Sequence, residues 1–346
     1  MPLGPSPGNI DFAKGIDPQI WKIINPDSYK PAKQKIKANG RGRKVWVMEP
    51  NAALAKNANI NKHVKLPLAK PIHQRQIKKA LRFGLPVAKP ESIKFIKKLG
   101  NGAFGQVYMV ENKAHERFAL KMVGSNPELR HECAVLLKLS RSGPHKNLIN
   151  VIGVSPGRSK DKYMLMELGG SSLLKDLKRG NMKDDELCDS FFQILMGASA
   201  IEQAGLQHND LKPENILIDN KGCLKICDFG LAKRKDELTS SGTVLYMSPE
   251  KLGIIKSSYP DRSDSWALGC IFAEMRLGYP IMDKLFPKSS SKPTLASIKK
   301  VLKKTYNKIL DKEGFEAADL FAKLTIIDPY KRISPSEALK HSYFQG

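Results

Sequence analysis

From Ser92 onward apolar and polar side chains alternate in three short runs, carrying Ile93, Phe95 and Leu99, then Val107 and Met109, then Phe118, Leu120 and Met122. A period of two predicts β-strands. The stretch 127–139 changes to helical spacing, with Glu132 one turn ahead of Leu136 and Leu139 beyond, so that Glu132 could turn inward beside the apolar stripe; Glu128, one turn earlier, is the competing candidate. A further strand is expected over 163–168. After Gly169, Gly170, Ser171 and Ser172, a turn that reads as a hinge, Leu187, Phe191, Ile194, Leu195, Ala198 and Ile201 recur at helical spacing and Gly205 closes that helix. Residues 1–90 lack any sustained period. Proline breaks them at eleven positions, and their apolar residues come in clusters such as Ile20, Trp21, Ile23, Ile24 and Val45–Met48.

Composition narrows the class. With 346 residues, two domains or one two-lobed domain with an extension is expected, and 41% hydrophobic with 27% charged residues is a globular balance. No apolar run approaches the roughly 18 residues of a membrane helix, and the Pro- and Gly-rich start has no signal-peptide pattern, so a cytoplasmic protein is expected, with a nuclear location as an alternative. Five cysteines without CxxC spacing suit reduced thiols rather than a disulfide framework or a zinc site. The net charge is +24, and residues 1–90 hold 18 Lys plus Arg against 4 Asp plus Glu. That extension reads as a regulatory, docking or targeting arm, suited to an acidic protein, an anionic membrane or nucleic acid.

Three segments carry candidate chemistry. Gly100, Asn101, Gly102, Ala103, Phe104 and Gly105 lie between two predicted strands, where glycines let a backbone approach phosphate closely; a dinucleotide fingerprint would need a helix next, and Gln106–Glu111 reads as strand. On the third strand Lys121 shares a face with Ala119, away from Phe118 and Leu120, so an ammonium could meet phosphate there. Finally, 206–215 gathers Asp210, Lys212 and Asn215, a carboxylate, an ammonium and a carboxamide able to handle a hydroxyl proton, a phosphate and a divalent cation; Asp228, Phe229 and Gly230 follow.

Taken in order, Gly100–Gly105, Ala119-Leu120-Lys121, His208–Asn215, Asp228-Phe229-Gly230 and Ser248-Pro249-Glu250 resemble the signature set of eukaryotic-type protein kinases over about residues 92–344. The resemblance implies an α+β, bilobal protein-kinase fold: a small, mainly antiparallel β lobe with one helix (about 91–168) and a larger, mainly helical lobe (about 169–346), preceded by the extension 1–90. It implies ATP and Mg2+ as cofactors and Ser/Thr hydroxyls of a protein substrate as acceptors, Lys212 and Thr243 fitting serine/threonine kinases better than tyrosine kinases. Asp210 would orient the hydroxyl and take its proton, Lys212 would neutralise the transferred phosphate, and Asn215 and Asp228 would hold the metal. Lys121, paired to Glu132, would hold the α- and β-phosphates. Leu99, Val107, Ala119 and Leu217 would sandwich the adenine, with Met166 behind it and backbone groups of Glu167 and Gly169 at its edge. Gly242, Thr243 and Tyr246 resemble the peptide-docking segment, Glu250 should pair with Arg332, and Asp264 should brace the catalytic loop.

One position departs from the pattern. The family usually has Arg between the His and Asp of the catalytic loop, and this chain has Asn209. A carboxamide cannot form a charge-assisted pair with a phosphate on the activation loop, so phosphorylation at Thr239, Ser240 or Ser241 is not expected to be the principal switch unless Lys233, Arg234 or Lys235 substitutes. The extension or a bound partner is then the next candidate regulator. A catalytically silent kinase scaffold is the alternative reading, and the basic leader would also fit a kinase delivered into a host cell by a pathogen.

Overall fold

The computed structural model of the protein describes residues 93–102, 105–112, 114–123, 126–139, 144–154, 162–180, 184–235, 237, 239–256, 262–286 and 293–345. The expectations on residues 1–90, and those on Ala103 and Phe104 at the glycine turn, lie outside them.

The alternating runs form β1 (Lys94–Gly102), β2 (Gly105–Glu111) and β3 (Arg117–Val123). With β4 (Val151–Val154) and β5 (Lys162–Met166) they make an antiparallel sheet in the order β1-β2-β3-β5-β4. Val107 pairs with Lys121 and Lys121 with Met164, while Met109 pairs with Ala119 and Ala119 with Met166. Because side chains alternate across a strand, these residues share one face. The other face closes over Val110, Leu120 and Leu165, with Tyr108, Phe118, Met122 and Tyr163 around them. Helix α1 (Asn126–Leu139) packs on the Lys121 face, where Cys133 Sγ lies 3.8 Å from Met164 Sδ. β5 stops at Met166, short of the expected 168. Beyond it Glu167 bonds to the residue preceding β4, its N–H donating to Asn150 O at 3.0 Å and its Oε1 accepting Asn150 N–H at 2.8 Å.

After the short strand β6 (Ser171–Ser172) come α2 (Leu173–Arg179) and α3 (Asp184–Gln203). The chain then threads β7 (Leu206–Gln207), β8 (Ile216–Ile218), β9 (Leu224–Ile226) and β10 (Lys233–Arg234). These form two small sheets, β6-β8-β9 and β10-β7. Helix α4 (Ser263–Leu277) is buried from Ser263 to Arg276, which its apolar run Trp266–Ala273 permits on every side. An added Cβ at Gly269 would come 2.5 Å from Thr325 Cγ2, so glycine lets the chain at Thr325 lie against α4. Helix α5 (Leu295–Glu313) buries Ile298, Leu302, Tyr306 and Ile309 along one stripe and starts at a Thr294–Ser297 capping box. α6 (Phe315–Leu324) and α7 (Pro335–Ala338) complete this helical lobe. No helix among the described residues is long and apolar enough to cross a membrane.

Candidate active site

The segment 206–215 leaves β7 and turns sharply at Asn209, whose φ of 67° is left-handed, a conformation Asn tolerates better than most residues. Asp264, in the first turn of α4, holds that turn from below: its Oδ2 accepts the His208 N–H at 2.6 Å and its Oδ1 the Asn209 N–H at 3.0 Å. His208 is buried edge-on against Phe229, with ring centroids 4.9 Å apart, and its Nε2 meets Cys227 O at 3.0 Å.

These contacts fix Asp210. Its Oδ1 accepts from Thr243 N–H at 2.9 Å and Thr243 Oγ1 at 2.7 Å, and its Oδ2 lies 2.8 Å from Lys212 Nζ. Burial raises the Asp210 pKa, but the bonds from Lys212 and Thr243 outweigh it and hold the carboxyl below its ordinary value, so it is ionised at neutral pH. Asn215, in the single 3-10 turn Pro213–Asn215, donates Nδ2 to Asp210 O at 2.9 Å and to Asp210 Oδ2 at 3.2 Å. With its amide nitrogen so engaged, its Oδ1 is the atom left to accept or to coordinate.

Lys121, 3% exposed, reaches across from the sheet. Its Nζ lies 3.0 and 2.8 Å from the two oxygens of Glu132, itself 2% exposed, and 2.8 Å from Asp228 Oδ1. Burial lowers the Lys121 pKa, but the two carboxylates outweigh it, so the value is raised and the ammonium stays charged. Glu132 thus faces Lys121; the side chain of Glu128 lies outside the described residues. Ala119 and Met166 are buried on the same sheet face, Val107 is half-buried, and Leu99 is 37% exposed. Leu217, on β8, closes on the connector between the lobes: an added Cβ at Gly169 would come 2.4 Å from Leu217 Cδ1. Gly100 and Gly102 lie on β1, and Gly102 pairs with Gly105 at the end of the hairpin. Asn101 pairs with Gln106 there, and its side chain, like Ala103 and Phe104, is outside the described residues.

A family model described as "Protein kinase domain" matches residues 93–344. The chain belongs to the protein kinase family. It is 30% identical over 273 residues to the mitogen-activated protein kinase HOG1 of Cryphonectria parasitica, covering 71% of this chain and 76% of that one. It is equally similar, with the same coverage, to the mitogen-activated protein kinase hog-1 of Neurospora crassa. To the mitogen-activated protein kinase sakA of Aspergillus fumigatus it is 31% identical over 273 residues, covering 71% of this chain and 75% of that one. The protein is accordingly a serine/threonine protein kinase with the bilobal fold, and ATP and Mg2+ are its cofactors.

The kinase site suits those cofactors. Mg2+ usually takes one or two protein oxygens and completes its shell with phosphate and water, and no group of three or more His, Cys, Asp or Glu side chains arranged for a metal occurs among the described residues. Asp228 and Oδ1 of Asn215 are hard oxygens of the kind this cation takes, and Lys121 holds a positive charge between two carboxylates.

The kinase's remaining family features also have definite places. Arg332 forks onto Glu250, with Nη1 2.7 Å from Oε1 and Nη2 3.1 Å from Oε2. Cys133, Cys223 and Cys270 are buried, Cys188 and Cys227 half-buried, and all five are free thiols. Ser240 and Ser241 are exposed, and Thr239 Oγ1 accepts the Ser241 N–H at 3.1 Å. Lys233 and Arg234 form β10, paired with Gln207 and Leu206. Two contacts had no sequence signal: His131 Nε2 meets Ala232 O at 2.6 Å, and Lys251 Nζ meets Asn209. Both join residues far apart in sequence through single polar atoms, which no local pattern marks.

Proposed function

We propose that Asp210, Lys212, Asn215, Asp228, Lys121 and Glu132 form the phosphoryl-transfer centre of this Ser/Thr kinase, and that its working arrangement does not depend on a phosphate at residues 239–241. The observation that carries the reading is that Lys121 bridges Glu132 and Asp228 while Asp210 is held by Lys212, Thr243 and Asn215, with protein groups alone. Magnesium–ATP would supply the phosphoryl group, whose transfer to the hydroxyl oxygen releases ADP, and the cation would neutralise charge on the phosphate oxygens. Asp210 orients the Ser or Thr hydroxyl and accepts its proton, its lowered pKa keeping it ionised beforehand. Lys212, 2.8 Å from both Asp210 and Thr243, stands where the transferred charge develops. Asn215 and Asp228 would hold the metal. Lys121 positions the α- and β-phosphates. Leu99, Val107, Ala119, Met166 and Leu217 form the walls of the adenine site, with Glu167 and Gly169 offering backbone groups and the glycine turn 100–105 covering the phosphates.

Incubation with labelled ATP and Mg2+, wild type beside Asp210→Ala, with mapping of the modified residues, tests the centre. Equal transfer by the variant, or modification confined to tyrosine, would refute it. Replacing Thr239, Ser240 and Ser241 by Ala tests the second part; a loss of about a hundredfold or more would sink it. The reading divides the chain into the kinase domain 91–346 and a basic extension 1–90 that docks on an anionic partner and regulates, supported by the extension's +14 charge. Deleting residues 1–85 should change activity or anionic-vesicle and nucleic-acid binding at low salt. Action inside a host cell rests on Asn209 and the basic leader alone, and a translocation reporter fused to the chain tests it.

A further inference from the structure

Asn209 is engaged through all four of its polar groups. Its N–H donates to Asp264, its Nδ2 to Leu231 O at 3.3 Å and, at 3.5 Å, to Gln207 O. Both its oxygens accept from one residue: Lys251 Nζ lies 3.1 Å from the backbone O and 3.2 Å from Oδ1. Lys251 comes directly after Glu250, which Arg332 pins in the helical lobe. Gly242 lies against the same carbonyl: at φ 134° it has a conformation open to glycine, and an added Cβ would fall 2.7 Å from Asn209 O and 3.6 Å from Lys251 Nζ. Lys251, Asn209, Asp210, Thr243 and Asp264 also border a cavity of about 10 Å³, the size of one water.

We propose that Lys251 is a positioning residue for phosphoryl transfer: an internal cation that clamps Asn209, and through it Asp210, so that the catalytic loop is held without a phosphate. The inference deepens the reading above and rests on it. The chemistry of the pair explains why a carboxamide stands at 209. A side chain with an acceptor adds a second bond to the one the lysine makes with the backbone oxygen at 209; arginine has five donors and no acceptor and would set a second cation beside the first. The clamp also joins three parts of the chain that must be in register for transfer. Asn209 Nδ2 holds Leu231, just after Asp228-Phe229-Gly230; Asn209 O meets Gly242, next to Thr243, which bonds Asp210; and Lys251 ties both to the Glu250 anchor. Burial holds the Lys251 pKa below its ordinary value, and the charges of Asp264, Asp210 and Glu250 offset that only in part.

The test compares Lys251→Met and Lys251→Arg with the full-length wild type, using labelled transfer to a Ser/Thr peptide mixture and normalising to the fraction that binds a non-hydrolysable ATP analogue. Lys251→Met should lower kcat about tenfold or more with KM for ATP changed less than about threefold, because a displaced base slows chemistry without removing the nucleotide. Lys251→Arg, which keeps a charged donor, should recover most of the loss. The reciprocal test is Asn209→Arg, which should be impaired and should regain about threefold or more in kcat when combined with Lys251→Met. A normalised kcat for Lys251→Met within about twofold of wild type, or a double variant no better than Asn209→Arg alone, overturns the proposal. If Lys251→Met does not bind the analogue, Lys251→Gln replaces it under the same thresholds. Wild type without any transfer would instead count against the phosphoryl-transfer reading itself.

Discussion

Removal of Arg332 should be among the most destabilising single changes in the helical lobe. Its side chain is 0% and that of Glu250 1% exposed. Besides the two bonds to Glu250, the guanidinium donates to Ile326 O at 2.8 Å, Arg262 O at 2.9 Å and Ile327 O at 3.2 Å, and it stacks 5.3 Å over Trp266. Arg332→Met keeps the apolar stem and strands the carboxylate in a dry site, where breaking a buried pair costs about 3 to 5 kcal/mol. Three carbonyls lose donors as well, which puts the expected cost at the upper end. Glu250→Gln is milder, because Gln retains one acceptor and Arg332 keeps its carbonyl partners; about 1 to 3 kcal/mol is expected. For a domain of this size 1 kcal/mol moves Tm by about 2 to 4 °C, so Arg332→Met should lower Tm by roughly 6 to 20 °C. The assay is thermal unfolding of both single variants and the double variant, followed by circular dichroism. The double variant has no stranded charge and should melt above the additive expectation. Arg332→Met melting at or above Glu250→Gln, or strict additivity, would refute the reasoning.

Three further outcomes follow from particular contacts. Gly170→Ala would place a Cβ 1.9 Å from Ile218 O at a residue with φ 82°, whereas Gly180→Ala, at φ 64° with nothing within 4 Å, meets only backbone strain of about 1 to 2 kcal/mol; melting should rank Gly170→Ala clearly lower, and equal Tm values would contradict the packing. Burial raises the Asp319 pKa, but the bonds from His341 at 2.9 Å and Lys323 at 2.7 Å outweigh it and lower the value. A depressed carboxyl contributes stability above its unfolded value of 3.8 that is lost as pH falls through the folded value, so denaturation should show wild type and Asp319→Asn converging only below about pH 3.8; a gap constant down to pH 2 would contradict it. Glu132→Gln should remove one of the two carboxylates that face Lys121 Nζ and lower kcat/KM for ATP about tenfold, with steady-state kinetics as the check and an unchanged value as the refutation.

Much of the small lobe could be read from the chain because its determinants are local. A period of two placed β2 and β3 to within about a residue and set Lys121 on the Ala119 face, since pleating alone decides that, whereas β1 runs past its last alternating residue, Leu99, and takes in Gly100 to Gly102. The helix over 127–139 was legible for the same reason, yet choosing Glu132 over Glu128 required the partner strand, which sequence spacing does not supply. The end of β5 was overextended because Glu167 and Leu168 continue the alternation while the backbone of Glu167 bonds to Asn150 instead of the sheet. Around the catalytic loop the residue types announced themselves, but the contacts of Asn209 did not. Its partners Leu231, Gly242, Lys251 and Asp264 lie 22 to 55 residues away, and a left-handed φ at an asparagine leaves no periodic trace.

Glu250 and Lys251 show why neighbouring residues can carry separate tasks. They are consecutive, but Glu250 points into the helical lobe against Arg332 and Lys251 points to the catalytic loop against Asn209. The first contact is sealed from water, so breaking it strands a charge and should be read in Tm. The second is half-buried and joins a flexible lysine to two neutral oxygens, and the carboxylates near it, Asp264, Asp210 and Glu250, keep partners of their own, so its loss strands no carboxylate and should be read in kcat with little change in melting. If both variants instead lost Tm and kcat in the same proportion, the two side chains would be acting as a single structural anchor, and the assignment of Lys251 to positioning would fail on that comparison alone.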